Sequence, residues 1–443
     1  MTVATAQPKA QLLKILGVAF GVAVIVGNSI SVGILRTPGE VAARLPNAWI
    51  FLTVWVLGGL YALLGATQMA EMGAMIPRSG GQYVFVRRGL GEYPGFVVGW
   101  SDWISTSGTV AFVGMVFAEY TAQLIPSLAS HQAALALSLV AIFTWILWQG
   151  ARTGDMTQQV TSLIKAVGLL ALAIACLIFA GNSGPAVAKP MPTGFSLFTA
   201  VVIALQAVIY TYDGWTGATY FSGESKDPGR EIPRATILGV WSVIAVYLVL
   251  NLAFLRVIPI GQIAGDPFVA GSAARQVFGV AGDIVIRVIV VVNILSAMNA
   301  TLLMASRVPV AMAEDGLISS VATNVSASGA PRVTLVASSV VAAAFILTGT
   351  FNQVLALLAF FFVANYALSF TSLFVLRARE PDLPRPYRVP GFPLTTGIVL
   401  IGAIAFLIAG FIGDRANSVR SFLLLLLSYP LYLGFRWLSK RNA

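Results

Sequence analysis

Two short stretches interrupt an otherwise apolar chain. One is VGNSISVGIL, Val26–Leu35, and the other is YTYDGWTG, Tyr210–Gly217. Each sets glycine and small hydroxyl residues into a hydrophobic run, and the second adds a carboxylate, Asp213, between two large aromatics, Tyr212 and Trp215. The chemistry open to such a break is main-chain binding. Unwinding a helix in an apolar medium strips N–H and C=O groups of their partners, so the break persists only where protein, water or a ligand replaces them. A ligand with both a carboxylate and an ammonium group satisfies both sides. N–H groups opening the second half-helix hold the anion, aided by the helix dipole, while carbonyls ending the first half hold the cation. The donors are then the backbone of Ser31, Val32 and Gly33. The acceptors lie around Asn28 and Ser29, joined by carbonyls of Tyr210, Thr211 and Asp213. For one break alone, close helix packing by small residues is the stronger account, as at Gly17 and Gly21. Two breaks in corresponding positions favour a site.

Individual side chains carry competing readings. Asp213 is either a ligand contact or the cap of a half-helix beginning near Gly214. Tyr210, Tyr212 and Trp215 either cover a ligand or pack as core. Lys165 falls about 10 Å inside the polar start of its span. It either snorkels to the surface or supplies an internal ammonium where other carriers hold a cation. Ser162 and Lys165 match S-x-x-K, but the companion motifs of a serine acyl-enzyme are absent. A single histidine, His131, supports neither a triad nor a histidine metal cluster, and the lone Cys176 excludes an intrachain disulfide. No enzyme, cofactor or metal is expected.

These residues need a membrane to position them. Hydrophobic residues make up 58% of the 443, mean hydropathy is +0.86, and only 10% are charged. A soluble domain carries about 25% charged residues. Apolar runs long enough to cross a bilayer recur at about 12–35, 47–75, 95–125, 133–150, 157–181, 195–222, 235–259, 283–305, 332–349, 353–376, 394–413 and 417–437. Twelve crossings place both termini on one side. Lysine and arginine number 18 on that side and 8 on the other, which predicts cytoplasmic termini; the expected location is the plasma membrane. The formal charge of +10 thus has a membrane explanation, and no nucleic-acid partner is expected. The two breaks fall in the first and sixth spans. Helices five spans apart reappear with opposite orientation, so an inverted repeat is predicted from count and position.

Four longer stretches then resemble one family. They are AEMGAMIPRSGGQYVFVRRGLGEYPGFVVGW (Ala70–Trp100), YDGWTGATYFSGESKDPGREIPRA (Tyr212–Ala235), NATLLMASRVPVAMAEDGLIS (Asn299–Ser319) and LRAREPDLPRPYRVPGFPL (Leu376–Leu394). In order, they resemble the amino acid–polyamine–organocation superfamily, in its L-type and alanine-serine-cysteine branch. The resemblance implies the leucine-transporter fold. A tail covers 1–11, one five-helix repeat 12–181, its inverted partner 195–376 and two further helices 394–437, with helices one and six unwound midway. It implies a sodium-independent carrier, exchanger or proton-coupled, that moves amino acids by alternating access. The family's I-G-S-G-I-F motif falls on Ile30–Leu35, so Ser31, Val32 and Gly33 take the carboxylate and the carbonyls of Ser29, Tyr210, Thr211 and Asp213 the amine. Lys165 stands at the former sodium position, and Asn293 falls on a family serine facing it. Ser31 and Val32 depart from the motif's glycine and serine. Small or medium neutral amino acids are the expected substrates, with cationic amino acids or polyamines the alternative if Asp213, Asp102 or Glu119 faces the pocket. No accessory subunit is expected.

Overall fold

Residues that must bury their backbone polarity in lipid have one local solution, the helix, and helices dominate this computed structural model. It describes residues 12–31, 33–179, 190–348, 351–413 and 415–442. Val32 and the tail 1–11 lie outside them. Among the described residues the sole β-type pairing is an isolated bridge between Leu16 and Ser225.

The first half holds α1 (Val18–Ser29), α2 (Gly33–Arg44), α3 (Ala48–Met75), α4 (Gln82–Leu90), α5 (Glu92–Leu124), α6 (Gln132–Trp148) and α7 (Ala151–Phe179). The second holds α8 (Gly194–Thr211), α9 (Pro228–Val257), the short α10 (Ile260–Ile263) and α11 (Val269–Phe278), α12 (Val280–Glu314), α13 (Arg332–Thr348) and α14 (Phe351–Arg379). The chain ends with α15 (Leu394–Gly413), α16 (Arg415–Leu426) and α17 (Ser428–Asn442).

Nine helices among the described residues are long and apolar enough to cross a membrane, and α1 with α2, bent by 47°, makes ten as one broken span. The sequence shows twelve apolar runs, and the difference has a physical source. Helix α5 has 33 residues, ample length, but buries Ser101, Asp102, Ser105, Thr106 and Ser107. Its polarity is spent inside the protein. Helix α13 is apolar but has 17 residues, about 26 Å of rise.

Two helices, α1 and α5, organise the interior. Helix α1 packs against α9, α7 and α12, while α5 lies along α12, α13 and α14. Small residues permit the closest approaches. At Gly21 an added Cβ would stand 2.6 Å from that of Ala235, so α1 and α9 meet almost backbone to backbone. Leu, Ile and Phe side chains on the outer faces, such as Leu163, Ile178 and Ile401, are exposed, as lipid contact requires.

Candidate functional site

Helix α1 ends at Ser29 and α2 begins at Gly33. Helix α8 ends at Thr211, residues 212–216 form turns, and a 3₁₀ helix runs Gly217–Glu224. The two ends meet across Gly214. Its φ is +114°, the left-handed region, and a Cβ there would stand 2.7 Å from Ser29 Oγ and 2.8 Å from Ser29 N. Only glycine lets the two main chains approach this closely. Gly33 is packed similarly, with an added Cβ 2.9 Å from Thr211 Cγ2.

Tyr247 on α9 ties the ends together. Its hydroxyl lies 2.6 Å from the Ser29 carbonyl and 3.0 Å from the Thr211 carbonyl. The Ser29 carbonyl also accepts the Ser31 N–H at 2.8 Å, so both its lone pairs are engaged, while the Thr211 carbonyl keeps acceptor capacity for a ligand. Thr37 Oγ1 on α2 lies 2.7 Å from Thr211 Oγ1, a second link between the broken segments. Tyr247→Phe leaves the ring in place and removes the tie. It is expected to cost about 1–2 kcal/mol, read as a lower thermal-unfolding midpoint of the purified protein; an unchanged midpoint would show that the hydroxyl does not hold the ends together.

A cavity of about 530 Å³ opens beside these ends. Ser29, Ser31, Gly33, Tyr210, Thr211 and Asp213 all border it. Six of the seven residues expected to contact a ligand are thus brought together, and the seventh, Val32, lies outside the described residues. The N–H groups of the first turn of α2, starting at Gly33, have no acceptor within their own helix. The Arg36–Glu40 pair, roughly half exposed, stands at the mouth, and Tyr220 and Met304 border the cavity as well.

Beyond Tyr220 the molecule is closed. Arg307 meets Glu224 through two buried contacts, Nε to Oε1 at 3.1 Å and Nη2 to Oε2 at 3.0 Å, and its guanidinium lies over Phe221 at 5.2 Å. Main-chain bonds join the same region: Leu16 N–H to the Glu224 carbonyl and Gly80 N–H to the Tyr220 carbonyl, both at 3.1 Å. Nearby, Asp315 receives Arg78 at 3.1 Å, Arg87 at 3.2 Å and the Tyr83 hydroxyl at 2.8 Å. Burial and then the Asp315 charge push the Tyr83 phenol well above its ordinary value, so it remains a donor at any physiological pH.

Asp213 does not cap the 3₁₀ helix, whose N-cap is Thr216 with no side-chain bond. Its carboxylate instead accepts the Tyr366 hydroxyl from α14 and faces the cavity. Tyr212 and Trp215 do not close over the cavity either. Tyr212 packs against Trp55 and Tyr247, at centroid distances of 6.0 and 4.9 Å, and Trp215 against Tyr366 at 4.6 Å. Tyr210 and Tyr366 are the aromatics beside Asp213 on the cavity wall. Asp102 is wholly buried against the Tyr220 hydroxyl, at 2.7 and 2.9 Å, and does not border the cavity; Glu119 is exposed.

Lys165 does not snorkel. It is 0% exposed, and Nζ donates to the Gly27 carbonyl at 2.8 Å, in the last turn of α1. Gln158, Ser162 and Lys165 lie four and three residues apart, one stripe of α7 turned to α1. Gln158 Nε2 and Ser162 Oγ both reach the Ala23 carbonyl, at 2.9 and 2.8 Å. Ser162 and Lys165 therefore take separate backbone partners, unlike a nucleophile and its base. Helices α7 and α12 run antiparallel, with Ser162 2.9 Å from Ser296 and an added Cβ at Gly168 3.2 Å from Ile289. This register sets Asn293 level with Lys165. No hydrogen bond joins them, and both amide atoms of Asn293 are buried without partners.

Sequence reasoning missed Tyr247, Thr37, Tyr366 and the Glu224–Arg307 pair. A trace of Tyr247 exists: with Asn251 it forms a polar pair one turn apart in the aliphatic run of α9. Long-range pairing of Glu224 with Arg307 leaves no such local mark.

Residues 16–435 match the amino acid permease family. Among curated proteins, the chain is 27% identical over 447 residues to the serine/threonine exchanger SteT of Bacillus subtilis (strain 168), covering 98% of each chain. It is 26% identical to the b(0,+)-type amino acid transporter 1 of Mus musculus, over 91% of this chain and 84% of that one. Identity is also 26% to the Asc-type amino acid transporter 1 of Mus musculus, over 98% of this chain and 84% of the relative. With nearly its whole length matched, the chain belongs to the amino acid permease family.

Proposed function

We propose that this protein is a sodium-independent secondary transporter of amino acids, working by alternating access on small to medium neutral substrates. The observation that carries the reading is the meeting of two chain breaks across Gly214 at the wall of a 530 Å³ cavity. The substrate carboxylate is held by N–H groups at Ser31–Gly33, and the ammonium by carbonyls of Ser29, Tyr210, Thr211 and Asp213, the Ser31 N–H and the Ser29 carbonyl exchanging their mutual 2.8 Å bond for the ligand. Both charges are met by main chain, which every α-amino acid shares, so the side chain is left for selection.

Alternating access has a ready basis. The cavity is open at Arg36–Glu40 and shut at Glu224–Arg307. With the excess of cationic residues on the shut side facing the cytoplasm of the plasma membrane, this is an outward-facing state. We take the scaffold to be twelve spans, with 12–181 and 195–376 as inverted repeats and 394–437 as an addition. Lys165 stands in for a sodium ion by placing a fixed ammonium on the Gly27 carbonyl, which supports sodium independence; Asn293 faces it across the α7–α12 seam. The carrier acts without an accessory subunit, as its lone cysteine, Cys176, is buried on α7.

A second reading, transport of cationic amino acids or polyamines, is favoured by one observation. The carboxylate of Asp213 borders the cavity, and its side-chain partner there is a tyrosine rather than a cation.

The test is uptake of labelled amino acids into proteoliposomes, with empty and amino-acid-loaded lumens, with and without sodium and a pH gradient. Neutral substrate uptake accelerated by loading and indifferent to sodium is expected for an exchanger. Uptake driven by the pH gradient makes it a proton symporter. Strict sodium dependence removes the role given to Lys165, and selective uptake of lysine or polyamines moves the assignment to the second reading. No uptake of any amino acid overturns the proposal.

A further inference from the structure

The cavity wall carries hydrogen-bonding capacity that head-group binding leaves unused. Asn28 lies in the last turn of α1, half-buried, and borders the cavity. Its Oδ1 lies 3.3 Å from the Thr301 hydroxyl of α12, which is also 2.8 Å from the Ala297 carbonyl. The other side of the Asn28 amide has no protein partner among the described residues. Beside it, Ser29 Oγ is buried and unpartnered, although Ser29 borders the same cavity. The two groups converge: an added Cβ at Gly214 would stand 2.7 Å from Ser29 Oγ and 2.9 Å from Asn28 Nδ2. The Asn28 amide and the Ser29 hydroxyl thus stand together against Gly214, where the two broken segments meet in a contact too tight for a ligand atom, and the part of Asn28 that borders the cavity is what a ligand reaches.

Head-group binding by N–H and C=O groups uses neither. An amide edge open to the cavity is met by water until a polar ligand group replaces it, whereas an apolar ligand leaves it unpaired at a cost. The partner must be short, because Asn28 adjoins the main chain that holds the head group. It must also suit an amide presented edge-on. A hydroxyl both donates and accepts, so it pairs with that amide whichever of its two groups is turned inward. Thr301 orients the amide from the far side, and the wall next to it, Ala297 and Met304, is apolar and offers nothing in competition.

We propose that Asn28, oriented by Thr301 and set against Ser29, is the element that reads the substrate side chain, favouring amino acids with a short hydroxyl or carboxamide side chain over apolar ones of the same size. This rests on the reading of the cavity as an amino acid site. A pocket equipped with polar groups rejects the analogue that leaves them unpaired, which discriminates more sharply than a missing methyl group does. Because Asn28 keeps some exposure to the cavity, the preference is smaller than in a dry site, about tenfold to a hundredfold.

The test uses the purified full-length protein in proteoliposomes and isosteric pairs: serine against 2-aminobutyrate, and threonine against valine. Each is measured as a competitor of labelled alanine. The wild type is expected to prefer the hydroxyl member of each pair by about tenfold or more. Asn28→Ala and Thr301→Val are expected to shrink that ratio toward unity, and Thr301→Ser to restore it. Ligand-induced thermal shifts with the same pairs report the ratio for any variant too slow to assay by uptake. Equal competition by both members in a transporting wild type overturns the subsite and leaves amino acid transport standing. A preference undiminished in Asn28→Ala and Ser29→Ala overturns the assignment to these residues. Absence of uptake and of thermal shift with every amino acid overturns the underlying reading, and the subsite with it.

Discussion

Replacing Gly214 with alanine is expected to lower amino acid uptake by about a hundredfold, while the protein still inserts and purifies as a monodisperse species. Two costs act at once. Alanine at φ +114° is strained by about 1–3 kcal/mol. Its methyl would also stand 2.8 Å from the Ser29 nitrogen, a main-chain atom that no rotamer change moves aside. The segments must separate, on the order of 1 Å, and a displacement of that size at a binding centre is enough for the loss stated. The rest of the helix packing does not depend on this contact, so expression is the internal control. Near-normal uptake by Gly214→Ala would mean that the two ends need not meet, and the main-chain account of binding would fall.

Lys165→Met is expected to reduce transport at least tenfold without loss of insertion, and Lys165→Ala to do the same with lower stability. Methionine keeps most of the volume in a fully buried position and removes only the ammonium, so it separates charge from packing. The Gly27 carbonyl then loses its donor next to the end of α1. Alanine adds a cavity worth about 2–3 kcal/mol. Initial rates in loaded proteoliposomes, normalised to inserted protein, decide the matter. Full activity in Lys165→Met would make the ammonium a structural tether and nothing more. Recovery of activity by added sodium would be the most direct support for the stand-in role.

The two breaks were legible because they violate a pattern. Small and polar residues at Val26–Leu35 and Tyr210–Gly217 stand out within runs that otherwise follow the demand of lipid for apolar side chains. Most helix boundaries were legible for the same reason: the runs at 47–75 and 394–413 agree with α3 and α15 within a residue. Helix α5 also shows where that signal weakens, since a helix surrounded by protein carries polar groups without penalty once they are paired. Asp102, for example, accepts the hydroxyls of Tyr220 and Thr106.

Side-chain direction was not legible. Tyr210, Tyr212 and Trp215 are neighbours in sequence with similar chemistry, yet Tyr210 borders the cavity and the other two are core. The turn at 212–216 rotates each residue by an amount that no helical or strand period describes. The depth of Lys165 in its helix was readable, but its direction was not. A snorkelling lysine and a buried one occupy the same position in the chain, and the Gly27 carbonyl 138 residues away distinguishes them.

The sequence by itself determined the solvent, the helical class, the family and the two places where the backbone is freed to bind. These follow from composition and local pattern, because the cost of exposing charge or unpaired backbone to lipid is set residue by residue. Tertiary structure alone decided which groups fill the freed positions. The tie from Tyr247 to both breaks, the Glu224–Arg307 closure, the Tyr366 partner of Asp213 and the open edge of Asn28 all join segments far apart in the chain. Their energies depend on distance and direction within a few tenths of an ångström, and these exist only once the helices have packed.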